Sequence, residues 1–248
     1  VPGDWGVVTL DFTKKYGEMF AVLNMANAYR PGGGYAWGCP AQEENMFRRT
    51  DCHFSIDRSD EDVVKIKSNV EYTPAMTNFL NGSEGRVYLD TASPRVCIRG
   101  PEDLTKNDYY DIGYETLPED SVFPFMELRA AAVDRRRCGQ FISEKFNRKM
   151  LDDMRCRIIA QLVTLIDAGV RHVILSAFGC GAFRNPADNV AVIYREEIEK
   201  RATHFDVVAF AIFHAGYGPD NFTPFQRVFE GFNGGDGGRR NIDFNLIT

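Results

Sequence analysis

The sequence predicts an α/β fold, on three observations. Apolar runs of strand length alternate with amphipathic stretches of helix length along the chain. One run, His172-Val173-Ile174-Leu175, is nearly all apolar, as expected of a strand buried on both faces. Glycine-rich turns lie between strand-like runs and helical stretches at two places.

Taken in order, Val7-Val8-Thr9-Leu10 and Phe20-Ala21-Val22-Leu23 read as short strands, the second running into Pro31-Gly32-Gly33-Gly34-Tyr35. Ala41 to Thr50 suits a helix. Residues 57 to 85 are polar and charged, and helical stretches are expected there. Val87-Tyr88-Leu89 and Arg95-Val96-Cys97-Ile98 read as a strand pair, with Pro94 where the second begins. Residues 99 to 123 are dense in Gly, Pro, Asn and Asp and read as a long surface loop. Phe125 to Ala132 is a further strand. Asn147 to Ala168 is the clearest helix, with Met150, Leu151, Met154, Ile158, Leu162, Leu165 and Ile166 at helical spacing, and Gly169 ends it. After the buried strand comes Gly179-Cys180-Gly181-Ala182-Phe183, then a helix in which Asn185 suits the N-cap and Pro186 the first turn. Phe205 to Phe213 is the last buried strand.

The 248 residues suit one large domain across 1–248, with residues 1–5 and 233–248 as flexible ends. The chain opens at Val1 with neither Met nor a secretion pattern, as expected of an excised domain. No apolar run reaches membrane-spanning length. The six cysteines are scattered, and the four histidines share no ligand spacing with them, so reduced thiols in an intracellular protein are expected and neither a disulfide framework nor a zinc site is. A formal charge of −6 argues against direct nucleic-acid binding. The basic clusters Arg135-Arg136-Arg137 and Arg239-Arg240 read as a solvated turn and tail. An acidic protein that takes a phosphorylated ligand must raise positive potential locally, from backbone N–H groups and helix N-termini. The two glycine-rich turns offer this, although glycines also simply make turns. Neither turn has the GxGxxG form with an acidic residue about 20 positions on, which argues against a dinucleotide fold.

Gln42-Glu43-Glu44 opens the helix that follows the first turn. Neighbouring carboxylates on a helix point about 100° apart, so they are expected to serve different roles. A carboxyl group shielded from water holds its proton to higher pH and serves as a general acid at neutral pH. Helix N-terminal acids are also favoured by the dipole alone.

Asn24-Met25-Ala26-Asn27, then Pro31-Gly32-Gly33-Gly34, then seven residues and Gln42-Glu43-Glu44, resembles the signature of the poly(ADP-ribose) glycohydrolases. With Arg48-Arg49 following, the spacing resembles the compact bacterial-type branch, and Ser176 to Pro186 is similar to that branch's diphosphate loop. The resemblance spans roughly Val7 to Phe229 but does not align Asn69 to Phe123. It implies a macrodomain-like three-layer fold, a mixed β-sheet between helices, with ADP-ribose beyond the sheet's carboxyl edge and no cofactor or metal. Glu44 is implied as the catalytic acid and Glu43 as its neighbour in the catalytic pair. Asn24, Asn27, Gly32, Gly33, Gly34 and Gln42 are implied substrate contacts, with Asn27 and Glu43 at the distal ribose. So are Phe178, Gly179, Cys180, Gly181, Ala182, Phe183 and Asn185 around the diphosphate. Asp51, with Asp57 and Asp60 nearby, is a candidate for the leaving-group side, where it could receive the guanidinium of an ADP-ribosylated arginine. The implied partner is the ADP-ribose of the polymer or of a modified protein. A reader module that binds without cleaving has no need of two acids, and a thiol hydrolase built on Cys180 runs against the expectation that a thiol between glycines packs on the sheet.

Overall fold

In a computed structural model the described residues are 1–55, 62–66, 69–103, 105–106, 113–136, 138, 143–214 and 218–232. Asp57, Asp60, Arg137, the Gly234–Gly238 tail and Arg239-Arg240 lie outside them. The elements are α1 (Trp5–Tyr16), β1 (Ala21–Met25), α2 (Gln42–Arg49), β2 (Val63–Ile66), β3 (Asn69–Tyr72), α3 (Pro74–Leu80), β4 (Tyr88–Cys97), β5 (Arg99–Glu102), β6 (Tyr114–Thr116), β7 (Phe123–Ala130), α4 (Glu144–Asp167), β8 (His172–Leu175), α5 (Ala187–Glu199), β9 (Val207–Phe210) and α6 (Phe222–Phe229).

Five strands form a mixed sheet in the order β4-β7-β1-β8-β9. β4 runs antiparallel to β7, and the other four are mutually parallel. The expected mixed sheet between helices is therefore present. Strand alternation sends Ala21, Leu23, Leu128 and Leu175 to one face, where α4, α5 and α6 cover them, and Val22, Phe125 and Ile174 to the other, against α1 and α2. Each Val, Leu, Ile or Phe side chain so removed from water contributes about 1.5–3 kcal/mol. The carboxyl ends of β7, β1, β8 and β9 share one edge, and the glycine-rich turns leave from the adjacent strands β1 and β8.

Several expectations need correction. Val7–Leu10 is helical, because Trp5, Val8 and Phe12 make one buried stripe at helical spacing. Asp4 caps that helix by accepting from the N–H groups of Gly6 and Val7, and left-handed Gly17 ends it. Residues 1–5 are not a loose end. The Val1 ammonium donates to the Phe210 carbonyl at 2.8 Å, and Pro2 pairs in parallel with Ile212. The pair anticipated at Val87–Ile98 is one edge strand, β4, whose register shifts between Asp90 and Arg95, so Pro94 sits in the irregular stretch where no ladder N–H is needed. Residues 99–123 contain the β5–β6 hairpin pair. In the 57–85 stretch, α3 meets the helical expectation but Val63–Ile66 and Asn69–Tyr72 pair as strands.

Candidate active site

The Gln42 side chain continues the ladder of β1: its Nε2 donates to the Leu23 carbonyl at 2.8 Å and its Oε1 accepts from Met25 N–H at 2.9 Å. This fixes the first turn of α2 at the carboxyl end of β1. Arg48 ties the far side by donating to the carbonyls of Tyr35 and Cys39. Gln42, expected among the substrate contacts, spends its amide on the backbone.

With α2 so placed, the two acids close over the triple glycine. Glu43 accepts from Gly32 N–H at 3.0 Å and Asn27 N–H at 2.7 Å, one bond to each oxygen, and is 2% exposed. Burial pushes its pKa well above the ordinary carboxylate value against the pull of the Asn27 N–H, and the charge of Glu44 adds to the rise. Glu44 is half-buried, and one of its oxygens accepts from Gly34 N–H at 2.9 Å. Its other oxygen takes no hydrogen bond among the described residues. Gly33, at φ +55°, is where side-chain-free backbone is required. A Cβ there would stand 2.4 Å from a Glu44 oxygen and 3.0 Å from one of Glu43. The shielded acid is thus Glu43, but both its oxygens are committed to the turn. Glu44 is the acid that can reach a ligand.

This turn does not offer its amides to a phosphate, as the sequence suggested. Gly32 and Gly34 donate to carboxylates and Gly33 to the Arg30 carbonyl. The turn after β8 differs. Cys180 N–H bonds Ala177, Arg184 N–H bonds Gly181 and Asn185 N–H bonds Gly179, whereas the N–H groups of Gly179, Gly181, Ala182 and Phe183 take no acceptor among the described residues. Asn185 is not the N-cap. Its buried amide donates to the carbonyls of Val133 and Gly179 and clasps the turn shut, and Pro186 caps α5. Gly179, at φ +72°, has Ala132 within 2.5 Å of its missing Cβ, while that of Gly181 would meet nothing within 4 Å. Phe178 and Cys180 face the core, at 0% and 1% exposure. Burial pushes the Cys180 thiol up to about 12, which removes the thiolate a nucleophile needs.

Asn27 uses its side-chain oxygen to accept from Tyr29 and Arg30 N–H groups, and its NH2 has no acceptor among the described residues. Asn24 is fully buried and donates to Glu127. Asp51 accepts from Val96 N–H at 2.7 Å, which attaches it to the edge strand rather than to the two turns.

Sequence reasoning missed two groups. The first is a buried charge network beneath the signature. Arg129 donates twice to Glu127, at 2.9 and 2.8 Å, and also to Tyr72 Oη and Ser55 Oγ, while its guanidinium lies 4.7 Å from the Tyr88 ring centroid. The signal was present: opposite charges two residues apart in a strand share one face. The second is Arg135-Arg136, expected as a solvated turn. Arg135 N–H donates to the Phe183 carbonyl at 3.0 Å, and the Arg136 guanidinium lies 4.7 Å from the Phe183 ring centroid.

The fold and site define a class: an α/β protein with free amides and a half-exposed carboxylate on adjacent turns at one sheet edge. Residues 7–80 match the family model of the microbial-type PARG catalytic domain, as the resemblance anticipated. Poly(ADP-ribose) glycohydrolase from Deinococcus radiodurans, solved with ADP-ribose, is similar at 23% identity and a TM-score of 0.65, over 93% of this chain and 83% of that one. The enzyme from Thermomonospora curvata, solved with the inhibitor ADP-HPD, is similar at 21% identity and 0.62, over 92% and 77%. No curated protein matches. At these identities the likeness to the solved structures is one of fold. No helix of the described residues is long and apolar enough to cross a membrane.

Proposed function

We propose that this chain is a poly(ADP-ribose) glycohydrolase-like enzyme that binds ADP-ribose and cleaves its ribosyl glycosidic bond. The observation that carries the reading is the pairing of unlike turns on adjacent strands. The turn after β1 holds a half-exposed carboxylate by one oxygen, and the turn after β8 leaves four N–H groups without an acceptor among the described residues. The solved relatives named above hold ADP-ribose or ADP-HPD, and the matching family model covers the signature.

The backbone amides of Gly179, Gly181, Ala182 and Phe183 take the pyrophosphate, since N–H groups gathered in one turn favour an anion without a lysine. Asn27 offers its NH2 to a ribose hydroxyl. Glu44 delivers a proton to the leaving oxygen as the bond to the anomeric carbon breaks. The ribosyl cation is captured by water, whose proton returns to Glu44. Glu43, bonded to Asn27 and Gly32, holds the turn in which Glu44 is seated.

Glu44→Gln keeps the shape and removes the transferable proton. It is expected to abolish ADP-ribose release while leaving ADP-ribose affinity within about tenfold, or 1.4 kcal/mol. Retained turnover sinks the assignment. Offering the wild type poly(ADP-ribose) beside arginine-, serine- and glutamate-linked monomer identifies the leaving group: release from the polymer is expected.

A further inference from the structure

An exposed arginine lies on the aromatic side chain of the proposed pyrophosphate turn. Arg136 follows the carboxyl end of β7, beside β1, and stands on the same sheet edge as the two turns. Its guanidinium is parked. Nε and Nη2 donate to the Asp134 carboxylate at 2.9 and 2.6 Å, and the plane rests against Phe183. The neighbouring Arg135 N–H pins this segment to the Phe183 carbonyl, so backbone and side chain both hold the arginine over the turn. Nη1 takes no acceptor among the described residues, and the side chain is 49% exposed. Its pKa is raised, first by the hydrogen bonds to Asp134, with the charges of Asp134 and Glu44 adding to the rise.

From this arrangement we infer that Arg136 is a substrate-contacting residue, whose free guanidinium edge binds the pyrophosphate of the ADP-ribosyl group and makes the site selective for a phosphorylated ribosyl donor. The inference rests on the function proposed above and deepens it. A pyrophosphate brings two negative charges into a chain whose own net charge is −6, and backbone amides supply only partial charges against them. The Arg136 guanidinium, though paired with Asp134, still presents N–H donors on its Nη1 edge, the geometry that suits phosphate oxygens. Stacking on Phe183 and pairing with Asp134 set its plane before the ligand arrives, so little side-chain freedom is lost on binding. Arg184, in the same turn, is exposed with a left-handed φ of 60°, and no ring or acid of the described residues fixes it.

The test is calorimetric titration of ADP-ribose into wild type, Arg136→Gln, Arg136→Lys and Arg184→Gln at low and high salt. Arg136→Gln is expected to weaken binding about tenfold and to flatten its salt dependence. Arg136→Lys should recover part of the affinity, and Arg184→Gln should lose less than threefold. Both positions are exposed, and unchanged melting temperatures confirm that folding is not what is being read. Wild-type affinity in Arg136→Gln overturns the inference while leaving the proposed function standing. Equal losses in Arg136→Gln and Arg184→Gln also overturn it, because bare charge then explains both. If wild type does not bind ADP-ribose, the proposed function falls with it.

Discussion

Arg129→Met tests whether the buried network under the signature matters as much as its geometry implies. Arg129 and Glu127 are 3% and 0% exposed, and the substitution leaves the Glu127 carboxylate with Asn24 as its remaining side-chain partner among the described residues. Removing one member of a buried pair costs about 3–5 kcal/mol, because a charge stays behind in a poorly polarisable interior. Against a total stability of about 5–15 kcal/mol, that is a large fraction. At about 2–4 °C per kcal/mol for a chain of this size, the melting temperature should fall by about 6–20 °C. Urea unfolding and calorimetry read both numbers. The double variant Arg129→Met, Glu127→Met removes the stranded charge too, so its cost should be well below the sum of the two single changes. It should not reach zero, since Tyr72 Oη and the Asn24 amide lose partners at about 1–3 kcal/mol each. A single change costing under about 1 kcal/mol, or strict additivity in the cycle, refutes the reasoning.

Three further outcomes follow from the same structure. Gly181→Val should fold normally, since its Cβ meets nothing within 4 Å, yet weaken ADP-ribose binding more than tenfold by filling the space over the free amides; unchanged affinity in a titration contradicts the assignment of that turn. Glu43 has a folded-state pKa raised by burial, so its contribution to stability is fully present below the unfolded value of about 4.3 and is lost as pH rises through the folded value. The stability of wild type relative to Glu43→Gln should therefore decline from pH 4 toward neutrality, and a flat or rising difference in urea titrations counts against it. Glu197 has the opposite sign. Burial pushes its pKa up, but Lys200, Arg155 and Arg201 outweigh that and hold it near about 2, so its contribution is present above about 4.3 and lost as pH falls through 2. Glu197→Gln should cost about 1–2 kcal/mol at pH 7, with screening around the exposed Lys200 allowed for, and converge with wild type in acid unfolding.

The legible parts of the chain were those where one period or one cap decides. The nearly all-apolar His172–Leu175 run could be little but a central strand, and the long stripe from Met150 to Leu165 could be little but a helix on a sheet. Val7–Leu10 misled because four residues of strand propensity were read in isolation. The deciding features lie just outside them, in the Asp4 cap and the Trp5–Val8–Phe12 stripe. Asn185 misled in a similar way. Asn before Pro before a helix is a capping pattern, but here tertiary hydrogen bonds to Val133 and Gly179 claim the amide first. Arg136 was invisible because nothing local to three adjacent arginines says that a phenylalanine nearly fifty positions on supplies a ring for one of them.

The two glycine-rich turns looked alike in sequence and have opposite uses, and the reason is general. A glycine removes a side chain and permits φ values that turn N–H groups together, but it does not say what those groups will meet. That depends on which acceptors the fold delivers. After β1 the signature glutamates arrive on α2, fixed by the Gln42 bonds to β1, and their carboxylates saturate the turn. After β8 no acid of the described residues meets the amides of Gly179, Gly181, Ala182 and Phe183, and the Asn185 clasp shapes the loop from behind. The Gln-Glu-Glu triplet and the triple glycine are therefore one structural unit, in which glycine amides orient carboxylates and the missing Cβ of Gly33 makes room for both. It follows that the spacer between them is constrained by where it must return the chain, the start of α2. Arg48 holds two of its seven residues, Tyr35 and Cys39, at their carbonyls, and the Tyr35 side chain adds a second tie by packing on Phe47 and bonding His53.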